Sequence, residues 1–581
     1  MSSKGLILGI HYGYKYSTIS YWDINTNQPV VIKDRNNEVR IPSWIDLSEI
    51  EKEKRIKIGS ELFGNGITEN SIYDMKKIIG REYDEIVKEQ FMEHLPFEIR
   101  NYEGPCVIYG NDEGINDRMY PEEVCALVLK YMIDLAIEKT KNKKIDQIVF
   151  CVPSEFRDKQ RNLMKFILKL ACSEFELHTN QMYIINESTA SIFQYKKMRK
   201  DKGKEQLKEK EKIVVINFED VLNIDCFICE KEDTKMMAFG ADPNLGKNDF
   251  INMLCEMIKE KMINEGIVDD DYFSVPNGRR VKESRIKEYK QRTKLLKKEA
   301  ERVLKSLNTS EDEEIDLKSV IGKNYDEEKH DDFTVLISRK SFENKCEPFF
   351  EKFAIKLREV LNKGRYFKKK EDVDTILIYG EMVFMPRIRE EIGKLLLKEN
   401  IIPLEDFDPF TSISQGAAIY SYKLATYCVE YHEFYDYIPF SLGIEIEHGE
   451  FDPICYENEF LHISERKIYE LNDPERNDIE INIYKGPYSF VESDGMEFIE
   501  SFVLKNNQPK GVSHYNVIIE SKISTEGKIS IVAYTMDAIY NNVVEKAMEK
   551  RSEIQVELNI ELLTDHQLEI KNHFEKLLQL Y

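Results

Sequence analysis

The spacing of hydrophobic positions divides the chain into two regions that meet near residue 425. Before that point, apolar runs of strand length alternate with segments in which apolar residues recur every three or four positions. The clearest signals are two strands around a turn at Gly13, a helix that begins at Pro121, a strand at 145–152, an amphipathic helix at 155–172 and a strand-like run at 214–228. This alternation predicts an α/β protein built of two similar halves.

After Pro439 the hydrophobic period changes to two. Alternating apolar residues occur in short runs separated by turn residues, which is typical of antiparallel strands with one buried face. The runs are Ile479, Ile481 and Ile483; Val517 and Ile519; and Ile529, Ile531 and Ala533. Residues 438–557 are therefore predicted to form a separate β-sandwich domain, and helical spacing returns only within 558–581.

Two polar segments divide the chain: one lies within the α/β region, and the other lies between that region and the β-domain. Residues 197–212 are rich in lysine and glutamate, which predicts a solvated insert between the two halves, 1–196 and 213–425. Residues 426–437 are rich in tyrosine and follow neither hydrophobic period. We interpret this second segment as a connector between the α/β region and the β-domain.

Composition and charge narrow the classes of protein. The 581 residues include 83 Lys and Arg and 106 Asp and Glu, a formal net charge of −23. An acidic chain repels phosphate backbones, so nucleic-acid binding is not expected. The sequence shows neither a signal-peptide pattern nor a run of about 18 apolar residues, so we expect a cytoplasmic protein without a membrane partner. Cys226 and Cys229, although spaced CxxC, lie in an apolar strand-like run and are expected to be buried thiols.

Six short segments resemble the Hsp70 chaperone family in the family's own order and spacing. With the family's sequence in parentheses, they are 75–82 MKKIIGRE (AKRLIGR), 152–161 VPSEFRDKQR (VPAYFNDSQR), 185–195 INESTASIFQY (INEPTAAAIAY), 241–250 ADPNLGKNDF (GDTHLGGEDF), 415–420 QGAAIY (YGAAVQ) and 438–445 IPFSLGIE (TPLSLGIE). Any one match is weak, but together they identify the chain as a divergent member of the family.

The resemblance implies a two-lobed actin-like, ribonuclease H-like α/β fold at 1–425 that clamps ATP and Mg²⁺ between its lobes. It also implies an interdomain linker at 426–437, a β-sandwich peptide-binding domain at 438–557 and a truncated helical lid at 558–581. The family's catalytic positions fall on Lys76 and Glu187. The positions implied to bind nucleotide are Gly9, Gly13, Gly246, Arg302, Gly380 and Phe384.

Several residues depart from the family at the phosphate and metal positions. In the first hairpin (GIDLGTT in the family, GIHYGYK here), His11 replaces the metal-organising aspartate and Tyr14 replaces a threonine. In the second (DLGGGT), NFEDVL at 217–222 has Asn217 and Leu222 in place of aspartate and threonine. The adenosine segment GGSTRIP reads GEMVFMP at 380–386.

These departures predict weak or absent ATP binding and little or no hydrolysis. The two lost aspartates are charges that attract hydrated Mg²⁺. The new carboxylates of Glu219 and Asp220 would each repel a nearby phosphate oxygen by about 4 kcal/mol at an effective dielectric near 20. Phe384 replaces the arginine that stacks on adenine in the family, although its ring could still stack.

The family's peptide-pocket positions are apolar or aromatic in this sequence. They are Ile444, Ile446, Tyr469, Ile479, Ile481 and Tyr515. An apolar groove accepts an extended leucine-rich segment and pairs with its backbone. Alternation alone does not separate a groove from a sandwich core, so both interpretations stay open. The linker also departs from the family, with YHEFYD at 431–436 where the family has DLLLLD.

We therefore expect an Hsp70-like chaperone that binds unfolded or nascent polypeptide, with ATP or ADP and Mg²⁺ as the implied cofactors. The alternative is a non-catalytic Hsp70-type co-chaperone or scaffold, similar to ribosome-associated atypical Hsp70s, that partners a J-domain protein or another Hsp70. An actin-like or sugar-kinase enzyme shares the α/β fold but does not explain the β-domain. No side chain is assigned as a direct metal ligand.

Overall fold

The computed structural model describes a large part of the chain and divides it into two compact units. The first unit comprises residues 1–205, 231–236 and 411–581, and the second comprises 206–230 and 237–410. The described residues are 5–579 except 64–66, 69, 88–94, 96, 103, 110–117, 143, 176, 178–180, 204–209, 231–233, 275–282, 331–332, 365, 403–406, 427–433, 436–440, 457–463, 472–477, 487–488, 494–495, 506–514, 524–528, 538–551 and 559–564.

The N-terminal part of the first unit is an α/β region. Its strands are β1 (Leu6–His11), β2 (Tyr16–Asp23), β3 (Gln28–Val31), β4 (Ile41–Pro42), β5 (Ile45–Asp46), β6 (Lys57–Ile58), β7 (Ser71–Ile72), β8 (Glu98–Asn101), β9 (Pro105–Ile108), β10 (Arg118–Met119), β11 (Ile145–Val152) and β12 (Met182–Asn186). Its helices are α1 (Ile50–Glu53), α2 (Tyr83–Val87), α3 (Pro121–Thr140), α4 (Asp158–Ala171) and α5 (Glu187–Asp201).

The largest sheet of this region has the strand order β12-β11-β1-β2-β3. β1 pairs in parallel with β11 and antiparallel with β2, and β11 pairs in parallel with β12. The predicted hairpin around Gly13 and the predicted strand at 145–152 are confirmed as β1, β2 and β11. α3 begins at Pro121 as predicted, because a proline in the first turn lacks only an N–H that has no helical partner.

The second unit is also an α/β structure. Its strands are β13 (Glu211–Phe218), β14 (Leu222–Cys229), β15 (Thr234–Asp242), β16 (Asp312–Glu314), β17 (Leu336–Ser338) and β18 (Thr375–Tyr379), and the first three residues of β15 belong to the first unit. Its helices are α6 (Lys247–Asn264), α7 (Glu283–Ser306), α8 (Leu317–Ile321), α9 (Glu327–His330), α10 (Arg339–Lys345), α11 (Glu347–Lys363) and α12 (Pro386–Leu395).

The main sheet of the second unit repeats the pattern of the first. Its order is β18-β13-β14-β15, with β13 parallel to β18 and antiparallel to β14. β13 therefore corresponds to β1, β14 to β2 and β18 to β11. The strand-like run at 214–228 is split into β13 and β14 by residues 219–221. Cys226 and Cys229 are both buried in β14.

Helix α13 (Ser412–Thr426) lies in the first unit, whereas the predicted second half ran to residue 425. It packs against α5 and crosses β1 and β11. A Cβ atom on Gly9 would lie only 2.1 Å from the backbone nitrogen of Ala418, so the close approach of α13 to β1 requires glycine there. Trp22 of β2 also stacks on Tyr422 with ring centroids 4.5 Å apart.

The predicted insert and linker are only partly described. α5 continues to Asp201, so the first residues of the predicted insert are helical, and residues 204–209 lie outside the described part of the chain. Within the linker, β19 (Phe434–Tyr435) pairs in parallel with Thr234 and Lys235. The other residues of the 431–436 segment also lie outside the described residues.

The C-terminal region contains two four-stranded antiparallel sheets. The strands are β20 (Leu442–Glu445), β21 (Phe451–Cys455), β22 (Ser464–Leu471), β23 (Asp478–Lys485), β24 (Glu497–Lys505), β25 (Tyr515–Ile523), β26 (Ile529–Asp537) and β27 (Ser552–Leu558), followed by helix α14 (Asp565–Leu577). The sheet orders are β21-β20-β23-β24 and β22-β25-β26-β27. Side chains from both sheets form one hydrophobic core, which confirms the period-two pattern at Ile479, Ile481 and Ile483.

Among the helices that the structure describes, none is both long enough and apolar enough to cross a bilayer.

Candidate functional site

Lys76 is the centre of a buried charge cluster in the first unit. It lies in a single turn of 3-10 helix, Met75–Lys77, and its side chain is almost completely buried. Its Nζ donates to Glu187 Oε1 at 2.5 Å and to the backbone oxygen of Tyr12 at 2.6 Å. The ammonium therefore has a carboxylate and a carbonyl as partners within the protein.

The fold brings Glu187 and His11 to the same edge of the sheet. β1, β11 and β12 are parallel, so their carboxyl ends lie together. His11 is the last residue of β1, and Glu187 directly follows β12 as the first residue of α5. A carboxylate in the first turn of a helix also interacts favourably with the helix dipole.

The cluster holds Glu187 as a carboxylate. Burial opposes its ionisation, but Lys76 and His11 outweigh burial and lower the pKa of Glu187 below its ordinary value. His11 Nε2 lies 3.5 Å from Glu187 Oε1. His11 Nδ1 is buried and has no hydrogen-bond partner among the described residues. His11 therefore puts an imidazole, and no carboxylate, at the family's metal position.

Tyr14 covers the same lysine. Lys76 Nζ lies 4.8 Å from the centroid of the Tyr14 ring, a cation–π geometry. The neighbouring Gly13 lies in the turn between β1 and β2, and its N–H donates to Ser17 Oγ at 3.2 Å. The first hairpin thus uses its own residues to enclose Lys76 and to satisfy the amide of Gly13.

The second hairpin, in the second unit, is held against the segment 245–247. The Leu222 N–H donates to the Leu245 carbonyl at 2.9 Å, and the Lys247 N–H donates to the Glu219 carbonyl at 2.6 Å. A Cβ atom on Gly246 would lie 1.9 Å from the carbonyl oxygen of Asp220, so only glycine fits there. Asp220 is buried, and Asn248 Nδ2 donates to its carboxylate at 3.3 Å.

A second buried lysine–glutamate pair lies in this unit. Lys247 Nζ donates to Glu381 Oε2, and both side chains are largely buried. In the aligned segments both residues replace a glycine of the family, in GDTHLGGEDF and in GGSTRIP. The residue-by-residue interpretation of the sequence missed this pair. Two opposite charges appearing at two family glycines were the signal that could have revealed it.

Two other predicted nucleotide-binding residues, Phe384 and Arg302, have partners within the second unit. Phe384 stacks on Phe410 with ring centroids 5.9 Å apart. Arg302 donates to Glu299, to Glu313 and to the backbone oxygen of Glu314. Gly380 directly follows β18, and Asn217 is a buried residue near the end of β13.

The predicted peptide-pocket residues divide into core and partly buried positions. Ile444, Ile479 and Ile481 lie in the sandwich core. Ile446 and Tyr469 are partly buried against that core, and the Tyr469 hydroxyl donates to Asp452 Oδ2 at 2.5 Å. That bond connects edge strands of the two sheets, β21 and β22. The side chain of Tyr515 lies outside what the structure describes.

The described residues do not fit a hydrated Mg²⁺ ion bound as in the family. The two metal-side aspartates are His11 and Asn217, and Glu187 is already engaged by Lys76. Across the described part of the chain, no group of three or more His, Cys, Asp or Glu side chains is placed to hold a metal. Hard divalent cations prefer oxygen ligands and negative charge, which His11 does not supply.

Two α/β regions with matching sheets, followed in sequence by a β-sandwich, define a protein with two similar α/β halves and an added β-domain. The Hsp70 family model, described as "Hsp70 protein", matches residues 7–576. The chain therefore belongs to the Hsp70 family. Membership implies actin-like ATPase lobes with a β-sandwich domain, and nucleotide binding with Mg²⁺.

Similar proteins come from a trypanosome, a bacterium and a microsporidian. The "Heat shock cognate HSP70 protein" of Trypanosoma brucei brucei is 22% identical over 572 residues, covering 97% of this chain and 78% of the relative. The "Chaperone protein HscA" of Buchnera aphidicola subsp. Schizaphis graminum is 24% identical, covering 95% and 79%. The "Mitochondrial-type heat shock protein 70" of Encephalitozoon hellem is 25% identical, covering 89% and 79%.

Proposed function

We propose that the protein is an Hsp70-type chaperone for unfolded or nascent polypeptide whose nucleotide site does not support efficient ATP hydrolysis. Family membership and the names of its relatives support the chaperone role. The observation that carries the second part is the closed contact set of Lys76, with Glu187 and the Tyr12 carbonyl as its partners.

A lysine in this position stabilises phosphoryl transfer only if its charge is directed at phosphate oxygens. Moving Lys76 onto a phosphate would take the lysine away from the buried Glu187 carboxylate, which would keep only His11 as a nearby basic group among the described contacts. Removing one partner of a buried ion pair costs about 3–5 kcal/mol. ATP binding would have to offset that cost without the two aspartates that attract Mg²⁺ in the family.

The second unit supports the same proposal independently. Lys247 and Glu381 place two side chains where the family has glycine. Glycine at such positions lets backbone amides approach phosphate, and a side chain obstructs that approach. The Leu222 amide is also engaged by the Leu245 carbonyl.

The direct test is steady-state phosphate release by the purified protein with ATP and Mg²⁺. We expect turnover at the background of the assay. The Lys76→Ala variant, checked for folding by circular dichroism, separates the protein's own turnover from that of a contaminating ATPase. Turnover that disappears in this variant would contradict the proposal.

Nucleotide binding is tested separately by thermal melting. A ligand that binds the native state at 100 times its Kd stabilises that state by about 2.7 kcal/mol, a shift of several degrees. We expect millimolar ATP with Mg²⁺ to raise Tm by less than about one degree. A larger rise would show that the protein binds nucleotide, and a nucleotide-dependent protease pattern would then favour a working chaperone over a scaffold.

Peptide binding by the β-domain is tested with the full chain and a fluorescent leucine-rich heptapeptide. Ile446 is a predicted slot residue that is only partly buried, so Ile446→Asp can change the slot without emptying the core. We expect this variant to weaken binding at least tenfold. Ile468→Asp, at an exposed residue of β22, is the matched control and should bind like wild type. If Ile446→Asp binds the peptide as tightly as Ile468→Asp, the predicted slot residues serve only the sandwich core, and the scaffold role is favoured.

A further inference from the structure

Helix α14 is built into the core of the first α/β region. It packs against α3, and Ile570, Phe574 and Leu577 are only 0%, 1% and 3% exposed. These three residues recur at helical spacing and join the same hydrophobic core as the residues of α3. The exposed residues of α14 include Lys571, Asn572 and Glu575. Among the side chains of α14 that the structure describes, the buried apolar residues share one face, and that face is already occupied.

A buried polar contact fixes the register of α14 on α3. His573 Nδ1 lies 2.6 Å from Glu123 Oε1, and both side chains are almost completely buried. The other carboxylate oxygen of Glu123 accepts the Tyr120 N–H at 2.8 Å, at the N-terminus of α3. Glu123 therefore caps one helix and holds the other. Buried polar groups demand such partners, so a shifted docking of α14 would lose the contact between His573 and Glu123 Oε1 and is disfavoured.

The short connection to β27 extends this contact to the β-domain. Residues 559–564 separate the end of β27 from the start of α14. Even a fully extended connection of that length reaches only about 25 Å. Because docking fixes α14 on α3, the end of β27 must then stay within this distance of the docked start of α14.

We propose that α14 is a strap that fastens the end of the β-domain to the first α/β region, and that it stays fastened without nucleotide. The sequence-based expectation was a truncated helical lid, too short to cover the peptide slot. The apolar face of α14 cannot cover a slot in the β-domain while it is buried against α3. None of the strap contacts involves a residue of the candidate nucleotide site, so their formation does not depend on ATP.

The test is hydrogen exchange of the full chain, followed by mass spectrometry of the peptides that contain 565–577 and the start of α3. We expect slow exchange in both, unchanged by ATP with Mg²⁺. His573→Ala should speed exchange in both peptides by about 10–100-fold, the range expected for loss of a buried hydrogen bond to a charged group. His573→Asn should restore most of the protection, because its amide nitrogen lies near the position of Nδ1.

Lys571→Ala, on the exposed face of α14, is the matched control and should exchange like wild type. The strap is refuted if the wild-type helix exchanges like unstructured peptide, if protection appears only with ATP and Mg²⁺, or if His573→Ala changes neither peptide. Circular dichroism of each variant verifies that the fold persists. Detection of ATP hydrolysis would overturn the proposed function and leave the strap proposal standing.

Discussion

The two units of the molecule each contain a buried lysine–glutamate pair, and the two pairs have different origins. Lys76 and Glu187 stand at positions that the family's motifs also have, whereas Lys247 and Glu381 stand where the family has glycine. The first pair has an additional acceptor in the Tyr12 carbonyl, and Glu381 keeps 11% side-chain exposure. The first pair thus uses charges that the family's motifs also have, whereas the second adds two charges where the family has glycine.

Glu122 is a second buried glutamate, and its neighbours stabilise the ionised form less than those of Glu187 do. It lies in the first turn of α3 and is buried like Glu187. Burial raises the pKa of Glu122 to about 7, a backbone hydrogen bond opposes this rise, and neighbouring Glu123 adds to it. Burial opposes the ionisation of both glutamates, so the difference lies in Lys76 and His11 beside Glu187.

Removing Lys76 should have the largest effect. Lys76→Ala removes the lysine partner of the buried Glu187 carboxylate, and we expect the free energy of unfolding to fall by about 3–5 kcal/mol. Urea denaturation monitored by circular dichroism measures this change. Lys77→Ala, one residue away and paired with Asp74, should cost less than about 1 kcal/mol. A loss below 1 kcal/mol for Lys76→Ala would mean that the pair is not intact in solution.

Removing Lys247 should cost less. Lys247→Ala leaves Glu381 without its lysine, but water can reach this carboxylate more readily than Glu187, so we expect a loss of about 2–3 kcal/mol. The same denaturation experiment applies, with Lys259→Ala on α6 as the control. The double variant Lys247→Gly/Glu381→Gly restores the family's residues at both positions. It should lose less stability than Lys247→Gly alone or Glu381→Gly alone. If the stability loss of the double variant equals the sum of the two single losses, the two charges do not interact.

Glu122 should show the opposite pH dependence from the paired glutamate. Its folded-state pKa of about 7 exceeds its ordinary value of 4.5, so the stability linked to its proton is present below pH 4.5 and is lost as pH rises through about 7. We expect Glu122→Gln to be more stable than wild type by about 1–3 kcal/mol at pH 8, and nearly equal at pH 4.5. Glu138→Gln, at an exposed residue of α3, should show no such pH dependence.

Replacing the ring over Lys76 should have the smallest effect. Tyr14→Thr restores the family's residue and removes the cation–π contact, with an expected loss of about 1 kcal/mol. Tyr14→Phe keeps the ring and should stay within a few tenths of wild type. Equal losses in both variants would assign the effect to the hydroxyl rather than to the ring.

Much of the local structure could be predicted from the sequence because it rests on short-range periodicity. β11, the start of α3 and the alternating strands of the sandwich follow the apolar pattern closely. The position of α13 was harder to predict, because its spacing shows that it is a helix but not which sheet it crosses. The tertiary structure shows the close approach at Gly9 that brings α13 against β1.

The sequence identified which residues belong to the candidate site but not which hydrogen-bond partners they have. The sequence alone identified Lys76, Glu187, His11 and Asn217 as the positions to inspect, because they align with the family's motifs. It did not indicate that Lys76 would be satisfied by Glu187 and a carbonyl. Predicted pocket residues such as Ile481 lie in the core, and a further role in a peptide groove stays a prediction. Alternation places groove-lining residues and core residues on the same face of a strand.

The sequence by itself determined the order of helices and strands, the change to a β-domain and the loss of the family's charges at two hairpins. These properties depend on neighbours within a few residues, through hydrophobic period and residue chemistry. Only the tertiary structure decided that residues 134 positions apart, Lys247 and Glu381, neutralise each other, and that His573 meets Glu123 across 450 positions. Such contacts depend on which elements pack together, and packing is a property of the whole chain that no local pattern records.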